Sequence, residues 1–175
     1  DALGLSRFFV LGHSIGGPLA MGVAARSPAR VQGLALLASV GLHVHRAARR
    51  VGRIPDWDWA LSFGPIARMA LPSMRAGFQR VGFPASTPDH ELVQSARIFS
   101  RLRFADVREA ARAVRAPTLL AWAQDDPAVE PAIGLSLGSA LPPGERITFE
   151  TGGHNIQKSR SVELAEAIAS WMIHA

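Results

Sequence analysis

Apolar positions recur in two rhythms along the 175 residues. Unbroken apolar runs at 7–12, 31–38 and 117–123 predict strands covered on both faces, as in a parallel sheet. A fourth strand, with alternation, is expected at 146–150. Between these runs the spacing turns helical. An Ala- and Leu-rich helix is predicted over 15–26; Pro18 is tolerated in its first turn, and Pro28 stops it at Ser27. Further helices are predicted over 104–114, 131–139 and 161–173. In the last, Val162, Ala165, Ile168, Ala169 and Met172 make one apolar face. Asp1 to Ser6 reads as the tail of a helix with Gly4 as its C-cap. Strand, helix, strand order implies right-handed crossovers and an α/β class.

From about Gly41 to Arg103 the rhythm breaks. Trp57, Trp59, Phe63, Met69, Met74, Phe78, Phe83 and Phe99 alternate with Pro55, Pro65, Pro72, Pro84 and Pro88. Short amphipathic helices interrupted by proline are expected, not more sheet. Most of these aromatics read as core packing under a helical insertion. Over residues 42–115 arginine outnumbers acidic residues 13 to 6, so the insertion and its exit helix hold most of the positive charge of a chain whose net charge is +5. A solvated face explains this; a bias toward anionic substrates is the weaker alternative.

The stretch that organises the rest is Phe8-Phe9-Val10-Leu11-Gly12-His13-Ser14-Ile15-Gly16-Gly17. It reads as strand, sharp turn and helix start, with Ser14 at the tip. Gly12 and Gly16 flank Ser14 two residues away on each side, where a Cβ would collide with the turn. The helix aims its free N–H groups at the place where an oxyanion would form beside Ser14. The bland alternative is a Gly-rich turn whose serine caps a helix. A nucleophilic serine also needs a base, usually histidine, and a carboxylate that fixes the imidazole tautomer.

The motif Gly12 to Gly17, in this setting, resembles the elbow of the α/β-hydrolase superfamily. The resemblance implies a partial α/β-hydrolase fold: about four parallel strands, flanking helices and a helical lid. The core would be 1–41 and 104–175, and the lid 42–103. It implies Ser14 as nucleophile. Trp122-Ala123-Gln124-Asp125-Asp126-Pro127-Ala128-Val129 resembles the strand-end acid motif W-G-x-x-D-x-x-V, with Ala123 for the glycine. That alignment makes Asp126 the acid and Asp125 the runner-up; turn formation or helix capping is the bland reading of both. His154, after Gly152 and Gly153 and before the last helix, resembles the family's loop histidine, against a surface turn residue as its alternative. His13 belongs to the elbow consensus, with its side chain expected to point away from the nucleophile. His43, His45, His90 and His174 have no supporting context. Ser, acid and His follow the chain order of this architecture, after the C-terminal ends of predicted strands. A serine at position 14 argues against the dehalogenases and epoxide hydrolases of this fold, which place aspartate there.

The resemblance further implies a serine hydrolase acting on an ester, lactone or thioester, with C–C hydrolysis and cofactor-free acyl transfer or perhydrolysis as variants. The Ile15 backbone N–H would be the first oxyanion donor. The resemblance covers the C-terminal portion of the fold, so the loop that gives the second donor is expected to be missing. The first strand would then be an exposed apolar edge, open to self-association, and the isolated chain marginally stable and weakly active. The rival is a non-catalytic fragment or ligand-binding relative. No metal or organic cofactor is implied, and without cysteine no thiolate metal site can form. The expected partner is a small-molecule substrate. Nucleic acid is not expected, because no aromatic-studded basic stripe accompanies the arginines. No apolar run is long enough to span a membrane, and with no signal peptide read at the N-terminus a cytoplasmic protein is expected.

Overall fold

The computed structural model describes residues 4–51, 57–80 and 82–175. Its framework is a sheet of four parallel strands in the order β1 (Phe8–His13), β2 (Val31–Leu37), β3 (Thr118–Ala123) and β4 (Arg146–Phe149). All four runs read from the sequence are strands, each within one residue of its expected bounds. The sheet steps in one direction, so right-handed crossovers must lie on one face. The crossover helices α1 (Gly16–Arg26), α6 (Phe104–Ala113) and α7 (Pro131–Ala140) do share one face.

Strand alternation divides the core. Leu34, Leu36, Leu120 and Trp122 pack toward α1, α6 and α7. Ala35, Leu37, Leu119, Ala121 and Ala123 turn the other way, toward α9 (Ser161–His174). Small residues here let α9 approach, and Trp171 meets Phe9 edge-on at 5.5 Å between ring centroids. The central strands β2 and β3 are buried almost throughout. β1 pairs only with β2 among the described residues, and Leu11 on it is 51% exposed.

Between β2 and α6, the described residues form four helices: α2 (Arg46–Val51), α3 (Trp57–Ser62), α4 (Gly64–Arg80) and α5 (Asp89–Ser100). They carry a small apolar cluster of their own, around Leu61, Ala67, Met74 and Leu92. Phe78 stacks against Phe83 and Phe99 there. Two expectations for this segment are corrected. Pro72 does not break α4, which continues for 17 residues. Pro72 lies on the exposed side, where water can satisfy the Arg68 carbonyl that loses its N–H partner. Among the aromatics, Trp59 and Phe63 are not core residues; they are 66% and 60% exposed, because the cluster takes only one face of α3 and α4. Of the helix tail expected over Asp1 to Ser6, residues 1–3 lie outside the described residues and 4–6 are not helical; the break at Pro55 and the Trp57 side chain also lie outside the described residues. Gly4, the expected C-cap, has the left-handed backbone (φ 61°) such a cap requires. No helix among the described residues is long and apolar enough to cross a membrane.

Candidate active site

The end of β1 and the start of α1 make the turn that the Gly12–Gly17 spacing predicts. Ser14 has φ 52°, a left-handed backbone that is uncommon outside glycine and is held here by its surroundings. Its N–H donates to the Leu37 carbonyl at 3.0 Å, and its carbonyl accepts from Gly17 and Val40, each at 3.0 Å. The end of β2 thus clamps the turn. A Cβ on Gly12 would stand 2.5 Å from the Gly16 carbonyl oxygen, so only glycine fits. The reason given for Gly16 is corrected: a Cβ there meets nothing within 4 Å. The crowded second glycine is Gly17, whose added Cβ would lie 1.8 Å from Ser39 Oγ. Ser39 is itself fixed by donating to the Val40 carbonyl at 2.7 Å. Ile15 is the N-cap residue of α1, so its N–H adjoins Ser14 at the positive end of that helix.

Beyond β3, Asp126 Oδ1 accepts the N–H groups of Ala128 and Val129, at 2.7 and 2.9 Å. These two bonds leave Oδ2 aimed across the sheet edge. Beyond β4, the loop from Thr151 to Asn155 presents His154. Gly153 has φ 64° in this loop, a conformation open to glycine at little cost. A four-residue helical turn, α8 (Ile156–Ser159), follows the loop before α9 and is not signalled by the periodicity.

The three sequence candidates meet. His154 Nδ1 lies 2.8 Å from Asp126 Oδ2, and His154 Nε2 lies 2.8 Å from Ser14 Oγ. A carboxylate only accepts, so Nδ1 carries the proton and Nε2 is left to accept from the Ser14 hydroxyl. Asp126 is 1% exposed and His154 8%, so water competes little for either bond. Asp125 does not reach the imidazole. It is exposed, and its Oδ1 accepts the Gly153 N–H at 2.7 Å.

Of the other histidines, two contribute to this region. His13 Nε2 donates to the His154 carbonyl at 2.8 Å, with the two rings 5.1 Å apart. The sequence assigned His13 only to the elbow consensus, directed away from the nucleophile, and gave no signal of this bond. Burial pushes its imidazole below the ordinary 6.5, although the carbonyl bond works in the opposite direction. His45 is 2% exposed and caps the base of α2: Nδ1 lies 3.3 Å from the Ala128 carbonyl and 3.4 Å from the Ala48 N–H. Burial lowers its pKa as well. Beside it, the Arg46 N–H donates to Glu130 Oε2 at 2.6 Å, Arg49 pairs with Glu130, and Arg46 Nη1 donates to the Asp126 carbonyl at 3.3 Å. Burial raises the Glu130 carboxyl, but the bonds from N–H groups and Arg49 outweigh it and leave the group below its ordinary value. Asn155 Nδ2 donates to the Gly82 carbonyl at 3.4 Å. The α2–α5 segment therefore touches both the Asp126 loop and the His154 loop. Among the described residues, no three His, Asp or Glu side chains are grouped as a metal site would need.

The fold and the sequence agree with known proteins. The family model described as the alpha/beta hydrolase family matches residues 1–167. No curated protein matches the sequence significantly. Among solved structures, a meta-cleavage product hydrolase from Pseudomonas fluorescens IP01 superposes with a TM-score of 0.67 at 20% identity, covering 99% of this chain and 67% of that one. The enol-lactonase from Burkholderia xenovorans LB400 gives 0.67 at 19% identity, covering 99% and 68%. The 2-hydroxy-6-oxo-6-phenylhexa-2,4-dienoate hydrolase from Rhodococcus sp. strain RHA1 gives 0.69 at 18% identity, covering 98% and 66%. This chain thus spans about two thirds of the length of these structures. With a family model running over nearly all its residues and this fold, the chain belongs to the alpha/beta hydrolase family.

Proposed function

We propose that the chain carries the catalytic centre of a serine hydrolase, with Ser14 as nucleophile, His154 as base and Asp126 as the acid that orients it. The observation that carries this reading is the unbroken relay from Asp126 Oδ2 through His154 to Ser14 Oγ, with both links at 2.8 Å. His154 Nε2 takes the Ser14 proton as Oγ attacks a carbonyl carbon. The oxyanion that develops faces the Ile15 N–H and the α1 N-terminus. His154 then returns the proton to the leaving group, and an acyl group remains on Ser14. A water that gives its proton to His154 attacks this ester and frees Ser14. Asp126 keeps Nδ1–H pointed at itself and balances the imidazolium through both steps.

The substrate is a small or medium ester, lactone or thioester, with C–C bond hydrolysis as the nearest variant. Two kinds of similar structure, a meta-cleavage product hydrolase and an enol-lactonase, bracket that choice. Residues 42–103 act as the lid, and their contacts with the Asp126 and His154 loops suit that role. The test is a substrate panel of aryl esters, enol-lactones, thioesters and vinylogous diketones, run on the wild type and on Ser14→Ala. Turnover of one class that vanishes in Ser14→Ala supports the reading and names the class. Turnover that survives Ser14→Ala contradicts it.

A further inference from the structure

We propose that His13 and Asp125 are positioning residues that grip the backbone on either side of the His154 α-carbon and so hold its imidazole between Asp126 and Ser14. This inference rests on the serine-hydrolase reading above.

The His154 loop has little stiffness of its own. Gly152 and Gly153 both have positive φ, at 156° and 64°. From the far side the loop is tied by the residues that follow it: Ser159 Oγ donates to the Gly152 carbonyl at 2.7 Å, and Arg160 Nε to the Thr151 carbonyl at 2.8 Å. Neither bond reaches His154 itself. Two further bonds come from the sheet side, and the second reaches His154 itself. Asp125 Oδ1 accepts the Gly153 N–H at 2.7 Å, and His13 Nε2 donates to the His154 carbonyl at 2.8 Å.

The two grips sit next to the two groups that the ring touches. Ser14 meets Nε2, and its predecessor His13 meets the carbonyl. Asp126 meets Nδ1, and its predecessor Asp125 meets the preceding N–H. Each partner loop therefore contacts the His154 segment twice, once through the His154 ring and once through the backbone of Gly153 or His154. A ring held at two opposite points tolerates little rotation: a shift of its α-carbon lengthens one 2.8 Å link as it shortens the other. His13 is suited to the task. A carbonyl oxygen only accepts, so Nε2 must carry a proton, and a neutral ring can supply it without placing a second cation beside the His154 imidazolium.

The test is fluorophosphonate labelling of Ser14, resolved into kinact and KI, with thermal midpoints measured alongside. The variants are His13→Phe, which removes the donor, and His13→Gln, which returns an N–H near the same point. Asp125→Ala and Asp125→Asn form the matching acceptor pair. Positioning predicts that kinact falls about 10- to 100-fold in His13→Phe and Asp125→Ala, that KI stays within about twofold, and that Gln and Asn recover most of the rate. A deletion variant as fast as wild type overturns the proposal, and so does a folded conservative variant as slow as its deletion partner. If His13→Phe does not fold, the exposed Asp125 pair decides. If the wild type shows no Ser14-dependent labelling, the serine-hydrolase reading fails instead, and the grip is then decided by Gly153 amide exchange. Faster exchange in Asp125→Ala than in wild type supports it; equal exchange overturns it.

Discussion

Asp126 and His154 stand on separate loops beyond β3 and β4, yet Asp126 Oδ2 and His154 Nδ1 are 2.8 Å apart, with both side chains less than a tenth exposed. Asp125, one residue earlier, is exposed and turns to the Gly153 N–H instead. Adjacent carboxylates thus have different partners. Asp126→Asn keeps the shape but loses the charge and the tautomer control, so the Ser14 labelling rate should fall by about 10³- to 10⁴-fold. Asp125→Asn retains an acceptor and should stay within about tenfold of wild type. Comparing the two rates under one set of conditions checks the assignment; equal losses would remove it.

The glycines of the turn make different demands. Gly12→Ala should cause the largest loss of stability, because its Cβ meets backbone atoms that cannot swing aside. Gly17→Ala should cost about 1–3 kcal/mol through its collision with Ser39. Gly16→Ala meets open space at the start of α1 and should be neutral or stabilising by up to about 1 kcal/mol. Urea denaturation midpoints of the three variants test this order. A destabilised Gly16→Ala with an unaffected Gly17→Ala would reverse it.

Most of the strands were legible because β2 and β3 are buried on both faces and leave unbroken apolar runs. Ser14, Asp126 and His154 were legible because each sits in a local pattern: the elbow, the strand end, the paired glycines. The run of α4 through Pro72 was not, because it depends on that residue facing water. Nor was the role of Gly17, which is set by Ser39 on a different loop. The contact of His13 with His154 joins residues 141 positions apart and leaves no mark on either local pattern.

Stability should fall in mild acid. Burial lowers both His13 and His45 below the ordinary 6.5, so near that pH the unfolded chain binds more protons than the folded one. Stability gained above pH 6.5 is therefore lost as pH falls through 6.5 toward the lower folded values. His13 feels Asp126 against this trend, with His154 and Lys158 reinforcing it; for His45, Glu130 opposes the trend and Arg49 and His154 add to it. Denaturation midpoints at neutral and mildly acidic pH should differ, and the difference should shrink in His13→Gln and His45→Gln. A midpoint that rises on acidification would contradict the burial argument.

β1 presents a free edge among the described residues, with Leu11 half exposed on it. Such an edge pairs readily with another strand. Sedimentation velocity should show concentration-dependent association, and Leu11→Lys should weaken it. A chain that stays monomeric at high concentration would count against the edge as a self-association surface.

The most direct test of the central claim is fluorophosphonate labelling of the wild-type chain, with the modified residue mapped by mass spectrometry, beside Ser14→Ala and His154→Ala. The account predicts one adduct, on Ser14, absent in Ser14→Ala and formed at least about 10³-fold more slowly in His154→Ala. Labelling at another residue, or labelling indifferent to either substitution, would contradict it.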